Sequence, residues 1–468
     1  MRSRTVQPLQ KRKQTSGKKQ NRNQRRLQET APMSREVRRV PAASNRMRQT
    51  VPMPRVAAPR AVKRSAPKPQ AIRRNAVAKN KRRHSIWDKI LVKGDYFDYD
   101  LLLVIVFLMC FGLIMLYSTS AYSAQNDFGN DMEYFTKQAF IGVLSFFWMM
   151  FVSKIDYLVY GAYAKEFYWI AMGIMALVQS PLGVTIYGAR RWIQLPFNMT
   201  LQPSEIMKIG VILFISYELC RLEKRIETKE VTMHIFFYGI IAFLGVYLLT
   251  DNLSTAIIVF LITCILYFVV HPKTAIFMKI IGGGVALIIA LVLFLSKFAR
   301  DSGSFRVGRI LTWLDPENHA GEGGFQVLQG LYAIGSGGFF GKGLGNSTQK
   351  LGVIPEVQND MILTIICEEL GVFGAIVILL LFGLMLYRLM FIAKNAPDLY
   401  GSLLAIGIMA HIALQVTLNI AVVTNLIPTT GITLPFISYG GTSIAFLMTE
   451  MGIALGVSRK IKLQGKNK

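Results

Sequence analysis

The sequence has few cysteines, few histidines and few charged residues for its length, and each shortage argues against a class of protein. It holds 4 cysteines and 5 histidines in 468 residues. The cysteines lie within apolar segments without CxxC spacing, so the sequence predicts neither a disulfide framework nor a metal site built from these side chains. Charged residues make up 17% and hydrophobic ones 52% of the chain, which is typical of a polytopic membrane protein.

Aromatic residues are absent before Trp87, and this is also where the positive charge is concentrated. The formal net charge is +26, and residues 1–90 hold 27 Lys and Arg residues against three acidic ones. A segment of this composition buries too little apolar surface to fold, so residues 1–94 are predicted to be a basic, disordered tail. Anionic lipid attracts such a tail. Nucleic acid is not expected as its partner, because the aromatic platforms of single-strand binders are missing.

Long apolar runs fill the rest of the chain. The first begins near Leu101, too late for a cleavable signal peptide at the N-terminus. A transmembrane helix needs about 20 apolar residues. Ten segments meet this test, near residues 100–119, 136–153, 157–178, 204–220, 233–250, 253–271, 275–297, 361–390, 400–423 and 441–458. The sequence therefore predicts an all-α integral membrane protein with ten transmembrane helices, a membrane domain over 95–459 and a basic tail over 460–468.

Loop charge predicts the orientation. With the Arg-rich tail inside, the basic stretches 221–230, 271–273, 388–394 and 459–468 also fall inside, as the positive-inside rule asks. Both termini are thus expected to be cytoplasmic. Three connections are then external, namely 179–203, about 298–359 between helices 7 and 8, and 424–440. The long one exceeds the usual length of a loop without structure, which indicates either function or disorder.

The stretch "GARRWIQLPFNMTLQPSEIMKIG" (188–210) holds four charged residues that are candidates for substrate binding. Arg190 and Arg191 are expected outside the membrane, where guanidinium groups bind phosphate in bidentate fashion. Glu205 and Lys208 are three residues apart and share one helix face. Taken alone, an ion pair that neutralises both charges is slightly favoured over substrate binding, although ionisable residues within a membrane are often functional.

Two glycine-containing stretches break the helical pattern. The run "GSGGFFGKGLG" (335–345) lacks the spacing of a nucleotide-binding loop, so loop packing is the favoured interpretation. The stretch "NLIPTTGITLPFISYGGTS" (425–443) interrupts the backbone with proline and glycine just before the last predicted helix. Irregular backbone at membrane depth persists only when protein buries it or when it lines a cavity. It is therefore either a re-entrant structural turn or a cavity wall.

Asp360, in "GVIPEVQNDMILTIICEELG" (352–371), stands at the start of the eighth predicted helix. An aspartate at this position is well placed as an N-terminal cap, and the helix dipole favours its charge. The residues alone favour this capping role, and a catalytic base is the alternative.

Taken together, these stretches resemble the FtsW/RodA/SpoVE (SEDS) family over roughly residues 100–458. The resemblance rests on "MLYSTSAYS", "GARRW" with "QPSEIMK", "GFQVLQGLYAIGSGGFFGKGLGNSTQK", "PEVQNDMI", "CEELG" and above all "LPFISYGGTS". It implies a ten-helix peptidoglycan glycosyltransferase that polymerises lipid II at the outer face of the bacterial cytoplasmic membrane, with a role in cell division.

The resemblance also implies residue roles. The family's catalytic aspartate follows a Pro-Glu pair, which here are Pro355, Glu356 and Asp360. The expected substrate-binding residues are Arg190, Arg191, Glu205, Lys208, Glu356, Ser438, Gly440 and Gly441. The chain departs from the family pattern in three places: Asn359 and Met361 flank Asp360, and Asn252 takes a position where the family has aspartate, with Asp251 beside it.

The resemblance further implies a partner transpeptidase, a class B penicillin-binding protein, and other proteins of the division machinery. No cofactor is certain. A divalent cation, Mg²⁺ or Mn²⁺, would have to be held by carboxylates and the pyrophosphate of the substrate. Two other functions stay open, a lipid II translocator and a non-catalytic scaffold.

Overall fold

The computed structural model describes residues 96–186, 189–195, 199–273, 282–283, 305–319, 321 and 323–462. The basic N-terminal tail lies outside the described residues, and so does the seventh predicted span except for residues 282–283. The described residues belong to one unit, Lys79–Lys468. All statements below about what the structure contains refer to these ranges.

The described residues are mostly helical, because long apolar runs in a membrane can satisfy their backbone groups only within a helix. The helices are α1 (Tyr99–Phe128), α2 (Glu133–Val152), α3 (Tyr157–Ala162), α4 (Ala164–Ala176), α5 (Pro203–Leu222), α6 (Lys229–Thr250), α7 (Leu253–Val270), α8 (Phe305–Leu314), α9 (Gly324–Ser336), α10 (Ile362–Asn395), α11 (Leu399–Val423) and α12 (Ser443–Ser458).

Six of these helices are long and apolar enough to cross a membrane, namely α1, α2, α6, α7, α10 and α11. The other predicted spans within the described ranges are also helical but depart from that standard. The third predicted span is divided into α3 and α4 at Tyr163, α5 contains several charged residues, and α12 has 16 residues. A multi-pass membrane fold follows, whereas the count of ten stays a prediction.

The stretch between α4 and α5 forms a small antiparallel sheet that the sequence did not predict. Its strands are β1 (Gly183–Ile186), β2 (Ala189–Leu195) and β3 (Met199–Leu201), in the order β1-β2-β3. The register between β1 and β2 shifts at Val184/Thr185. The fold is therefore mostly, not wholly, helical, and the sheet carries the arginine pair predicted from the sequence.

Helices α5 and α11 form the centre of the bundle. Most residues of both are buried, and α5 contacts α4, α6, α7, α11 and α12. Small residues let other elements approach closely, as is usual between membrane helices. A Cβ added to Gly452 of α12 would lie 2.8 Å from the Met149 carbonyl oxygen of α2, and one added to Gly112 of α1 would lie 2.5 Å from that of Phe436.

Helix α10 is interrupted at Gly371, whose φ of 67° and ψ of −168° are not helical. The glycine-rich run satisfies the backbone groups freed by this break. The amides of Lys342 and Gly343 donate to the carbonyls of Glu368 and Glu369, respectively. After the break, the amides of Val372 and Phe373 donate to the carbonyls of Gly338 and Phe339. The glycines are needed for this close backbone contact, because a Cβ on Gly337 would lie 1.9 Å from the Cys367 carbonyl oxygen. The run is thus a packing element.

Candidate functional site

Asp360 lies at the entrance to α10, but its side chain does not cap the helix. The N-cap position is Met361, and no side-chain capping bond is described there. The main chain of Asp360 is held from α11, since Asn419 Nδ2 donates to its carbonyl oxygen at 2.8 Å. The same amide group donates to the carbonyl of Ile432, also at 2.8 Å. Asn419 thereby ties Asp360 to the irregular stretch before α12.

The pKa of Asp360 is raised to about 6, chiefly by burial and to a smaller extent by the negative charge of Glu356. A bond from its own backbone and the positive charge of Arg309 oppose this rise. Arg309 lies on α8 and donates from Nη1 to the Thr429 carbonyl at 3.1 Å. A carboxyl with a pKa near 6 is mostly ionised at neutral pH and still basic enough to accept a proton, which suits a general base.

Glu356 precedes Asp360 on a tight turn and has a positive φ of 49°. Its Oε2 accepts from Asn359 Nδ2 at 2.7 Å and from Gln358 Nε2 at 3.3 Å. Asn359, a departure from the family pattern, therefore orients the neighbouring carboxylate. The two carboxylates of this turn are close enough for the charge of Glu356 to act on Asp360.

The re-entrant segment, residues 425–443, connects much of the site. Its main-chain carbonyls accept from α8 (Trp313 to Asn425, 2.9 Å), α7 (Ser254 to Thr430, 3.2 Å) and α11 (Gln415 to Thr433, 3.1 Å). Its amide at Tyr439 donates to the Gln358 carbonyl at 2.9 Å, next to Asp360. Protein groups therefore satisfy several carbonyls of this irregular backbone, as such backbone requires within a membrane.

The residues predicted from the "LPFISYGGTS" motif stabilise this segment internally. Ser438 Oγ accepts from the Leu434 amide at 2.8 Å. Gly440 accepts from the Ser443 amide at 2.9 Å, and Gly441 has a φ of 50°, which favours glycine. These contacts hold the backbone of the segment and do not by themselves assign a substrate role.

The two predicted arginines are consecutive residues of β2 and lie at its register shift, since Thr185 pairs with Arg190 but Val184 pairs with Trp192. Arg190 Nη2 donates to the Ser180 carbonyl at 2.6 Å. Arg191 Nη2 donates to the Asp251 carbonyl at 3.1 Å and so links the sheet to the turn between α6 and α7. Asn252 on that turn caps α7, since its Oδ1 accepts from the Thr255 amide. Each of the two guanidinium groups thus bonds a different main-chain carbonyl.

Glu205 and Lys208 form a buried ion pair at the start of α5. Lys208 Nζ lies 2.8 Å from Glu205 Oε2 and 3.3 Å from Gln415 Oε1 of α11. An ammonium group has three donors, so these contacts leave one N–H without a described partner. The contacts match the ion-pair interpretation and leave one N–H of Lys208 for a further acceptor.

Two glutamates of α10, Glu368 and Glu369, are fully buried about two turns after Asp360. The sequence analysis assigned no role to either of them. Glu368 accepts from Lys342 Nζ at 2.6 Å and from Ser347. Glu369 accepts from Lys350 Nζ at 2.7 Å and from Ser118 Oγ at 2.8 Å. Two lysines of the long loop thus neutralise two carboxylates of α10 and anchor that loop below Asp360.

Sequence reasoning missed Arg309, Gln415 and Asn419 as members of the site. Arg309 lies in the connection 298–359, to which the sequence assigned no residue roles before Pro355, and the two amides lie in an apolar helix. Their positions in an apolar segment were a signal, because polar side chains there need partners. Within the described ranges, no group of three or more His, Cys, Asp and Glu side chains is placed to hold a metal ion.

Comparison with known proteins identifies relatives over most of the chain. Stage V sporulation protein E of Bacillus subtilis is 39% identical over 374 residues, which cover 77% of this chain and 97% of the relative. A probable peptidoglycan glycosyltransferase FtsW of Trichlorobacter lovleyi is 35% identical over 368 residues, covering 78% and 94%.

Solved structures share the fold. One, described as showing the structural coordination of polymerization and crosslinking by a peptidoglycan synthase complex, aligns with a TM-score of 0.61 at 25% identity, over 79% of this chain and 99% of that one. The rod shape determining protein RodA of Thermus thermophilus aligns with a TM-score of 0.52 at 23% identity, over 78% and 97%. The family model for FtsW, RodA and SpoVE, described as cell cycle protein, matches residues 99–463, and the chain therefore belongs to this family.

Proposed function

We propose that this protein is a peptidoglycan glycosyltransferase that polymerises lipid II at the outer face of the bacterial cytoplasmic membrane, with both termini cytoplasmic. The observation that carries the proposal is the Asp360 carboxyl, which is buried enough to have a pKa of about 6 and is held in place without a capping role. The names of the relatives, peptidoglycan glycosyltransferase among them, support the same chemistry.

The reaction joins the sugar of one lipid-linked disaccharide to that of another. The Asp360 carboxylate accepts the proton of the acceptor sugar's hydroxyl group. At the same time the oxygen of that hydroxyl attacks the anomeric carbon of the donor. The bond from that carbon to the pyrophosphate breaks with inversion, and the polyprenyl pyrophosphate leaves. Cations stabilise the charge on this leaving group. Arg309 is the cation that acts on Asp360, and Arg191 and Lys208 are the further candidates to contact the pyrophosphate.

The remaining predicted substrate-binding residues have supporting roles in this proposal. Glu356 keeps the proton affinity of Asp360 high through its charge. Ser438, Gly440 and Gly441 shape the backbone of the re-entrant segment beside Asp360, Glu205 neutralises Lys208, and Arg190 holds the sheet. Where Mg²⁺ or Mn²⁺ participates, the hard oxygens available to it are those of Glu356, Asp360 and the pyrophosphate, and chelation by EDTA should then lower the rate reversibly.

Purified protein and lipid II test the proposal directly. Glycan chains that form without another polymerase, and that disappear with Asp360→Asn, support the enzyme. Fluorescent lipid II that crosses liposomes without polymerising would instead support a translocator. Neither activity, with binding to a transpeptidase retained, would indicate a scaffold.

The proposed partner is a class B penicillin-binding protein that crosslinks the new strands within the division machinery. The solved complex that couples polymerization with crosslinking supports this assignment. We assign the protein to cell division, although the similarity to a sporulation protein points to a second process. A fluorescent fusion should locate at the septum, and exclusive location at a forespore would overturn the division assignment. Anionic lipid is the proposed partner of the basic tail.

A further inference from the structure

A chain of buried polar side chains crosses the centre of the bundle, and its last member, Lys208, is also a candidate to contact the pyrophosphate. It begins at Glu450 of α12, continues through His411 and Gln415 of α11, and ends at Lys208 of α5. His411 Nδ1 lies 2.7 Å from Glu450 Oε2, and His411 Nε2 lies 2.8 Å from Gln415 Oε1. The side chains of His411 and Glu450 are 1% and 2% exposed, so water does not satisfy them.

The direction of each hydrogen bond in this chain is fixed by groups that can act in one way only. Gln415 Nε2 faces the Thr433 carbonyl at 3.1 Å and must donate to it. Gln415 Oε1 faces the Lys208 ammonium, which only donates. That oxygen is therefore an acceptor, and His411 Nε2 must carry a hydrogen to bond it.

The hydrogen bond between His411 Nδ1 and Glu450 Oε2 then requires one more proton, carried either by the ring or by the carboxyl group. If Glu450 is ionised, Nδ1 must also carry a hydrogen and the ring is an imidazolium. If the ring is neutral, Glu450 must be protonated and donate to Nδ1. In both cases the pair holds one shared proton, and the four ionisable groups Glu205, Lys208, His411 and Glu450 then sum to zero charge.

Loss of that proton would break the chain. The remaining hydrogen on His411 would bond the Glu450 carboxylate through Nδ1, and the lone pair on Nε2 would face Gln415 Oε1, an acceptor. Rotation of the Gln415 amide would relieve this contact, but its NH₂ group would then face Lys208 and its oxygen would face the Thr433 carbonyl. Deprotonation thus disturbs Lys208 and the re-entrant segment together.

We propose that His411 and Glu450 are a positioning pair whose shared proton keeps Gln415 connected to Lys208 and to the re-entrant segment beside Asp360. The effect on catalysis rests on the proposed function, whereas the effect on folding does not. Other described carboxylates on the helices packed around α11 have partners of their own: Glu205 binds Lys208, Glu218 binds Arg221 and His234, and Glu368 and Glu369 bind Lys342 and Lys350.

The Glu450→Gln variant tests the proposal, because it keeps every hydrogen bond and removes the shared proton. The new amide donates to Nδ1 of a neutral His411, whose Nε2–H still donates to Gln415. Glu218→Gln is the matched control, since Glu218 is also buried and bonds a histidine, His234, at 3.0 Å. Full-length protein in detergent is measured from pH 7 to pH 10, both for thermal unfolding and for kcat/KM with lipid II.

Any loss of Tm and kcat/KM that comes from removal of the shared proton should appear in the wild type and in Glu218→Gln, because a proton bound only in the folded state stabilises it. In Glu450→Gln both quantities should stay nearly constant over that range. An alkaline loss in Glu450→Gln equal to that of the wild type would overturn the proposal.

The unfolding measurement separates this proposal from the proposed function, because it needs no polymerisation. If the wild type forms no glycan chains, the difference in Tm profiles between the wild type and Glu450→Gln still supports or overturns the shared proton. If Glu450→Gln fails to fold, the double variant His411→Gln with Glu450→Gln replaces it, since two amides reproduce the same donors and acceptors without a titratable group. The double variant is expected to show the same constant profile.

Discussion

At the residue scale, Asp360→Asn separates a catalytic base from a structural aspartate. Asparagine keeps the size of the side chain but cannot accept the proton of a sugar hydroxyl. We expect polymerisation by purified protein to fall by about 10²- to 10⁴-fold, the usual contribution of a general base. Near-normal glycan-chain synthesis by this variant would remove Asp360 from the mechanism.

The stability of the same variant provides the control. The pKa of Asp360 is raised from its ordinary value to about 6, so the folded state binds its proton more tightly than the unfolded chain does. The wild type therefore loses stability from this group as pH rises from about 4 to 6, and it lacks that stability at neutral pH. Asp360→Asn should unfold at the same or a higher temperature than the wild type at pH 7.5. A low Tm would mean that the lost activity reports misfolding.

Arg309 should control the pH dependence of the reaction. Its positive charge opposes the rise in the pKa of Asp360, so its removal should raise that pKa further. In Arg309→Gln, the acid limb of the kcat profile should move from about pH 6 to higher pH. Arg309→Lys keeps the charge and should move the limb less. A shift to lower pH in Arg309→Gln would contradict the pairing of Arg309 with Asp360.

A double variant is needed to separate a substrate role of Lys208 from its ion pair with Glu205, because both side chains are buried. Lys208→Ala alone leaves a buried carboxylate without its partner, which is strongly destabilising. The double variant Lys208→Ala with Glu205→Gln should recover the Tm that the single change loses. Activity should stay low if Lys208 also contacts the pyrophosphate. Recovery of kcat together with Tm would mean that Lys208 only neutralises Glu205.

The sequence predicted some of these residues and not others, for a physical reason. Glu205 and Lys208 are neighbours on one helical turn, so their spacing alone indicated the pair. Asp360 was noticed because a carboxylate at the start of an apolar run needs an explanation. Its electrostatic interaction with Arg309 and the chain from Glu450 to Lys208 depend on how separate helices pack, and periodicity contains no information about that.

At the element scale, the break in α10 can be tested with two glycines of the same helix. Gly371 has a φ of 67°, and a Cβ there would lie 2.3 Å from the Phe339 carbonyl oxygen. Gly371→Ala should therefore lower Tm strongly and release the glycine-rich run, which limited proteolysis would detect. Gly383→Ala is the control, because nothing lies within 4 Å of its added Cβ, and alanine favours a helix. Equal Tm values for the two variants would contradict the packing role of the run.

The same scale shows where helix prediction from apolar runs succeeds and where it stops. The predicted runs and the helices agree to within a few residues for α5, α7 and α11, because a membrane leaves the backbone no other regular form. The break at Gly371 and the three strands were not predicted. The break depends on a loop distant in sequence that supplies the missing hydrogen bonds, and β3 is only 3 residues long, too short for an alternating pattern to be recognised.

At the scale of the whole molecule, the two ends of the described domain meet. The Asp98 amide donates to Ser458 Oγ at 3.3 Å, and Arg388 donates to both Asp98 oxygens, at 3.1 and 2.8 Å. The chain therefore enters and leaves the bundle on one side, together with the turn after α10. The re-entrant segment instead connects the other ends of α11 and α12, so Asp360, tied to it through Asn419, lies away from the side where the basic tails attach.

This separation predicts that the N-terminal tail is dispensable for the chemistry. The family match begins at residue 99, and every residue proposed to act on the substrate lies between residues 190 and 441. Deletion of residues 1–85 should therefore leave polymerisation by purified protein within about twofold of the wild type, since distant, independent parts contribute separately. The tail should instead govern binding to vesicles with anionic lipid, which should weaken on deletion and with added salt. A truncated protein with an unchanged Tm and no polymerisation would require the tail to reach the site, and would overturn this division of roles.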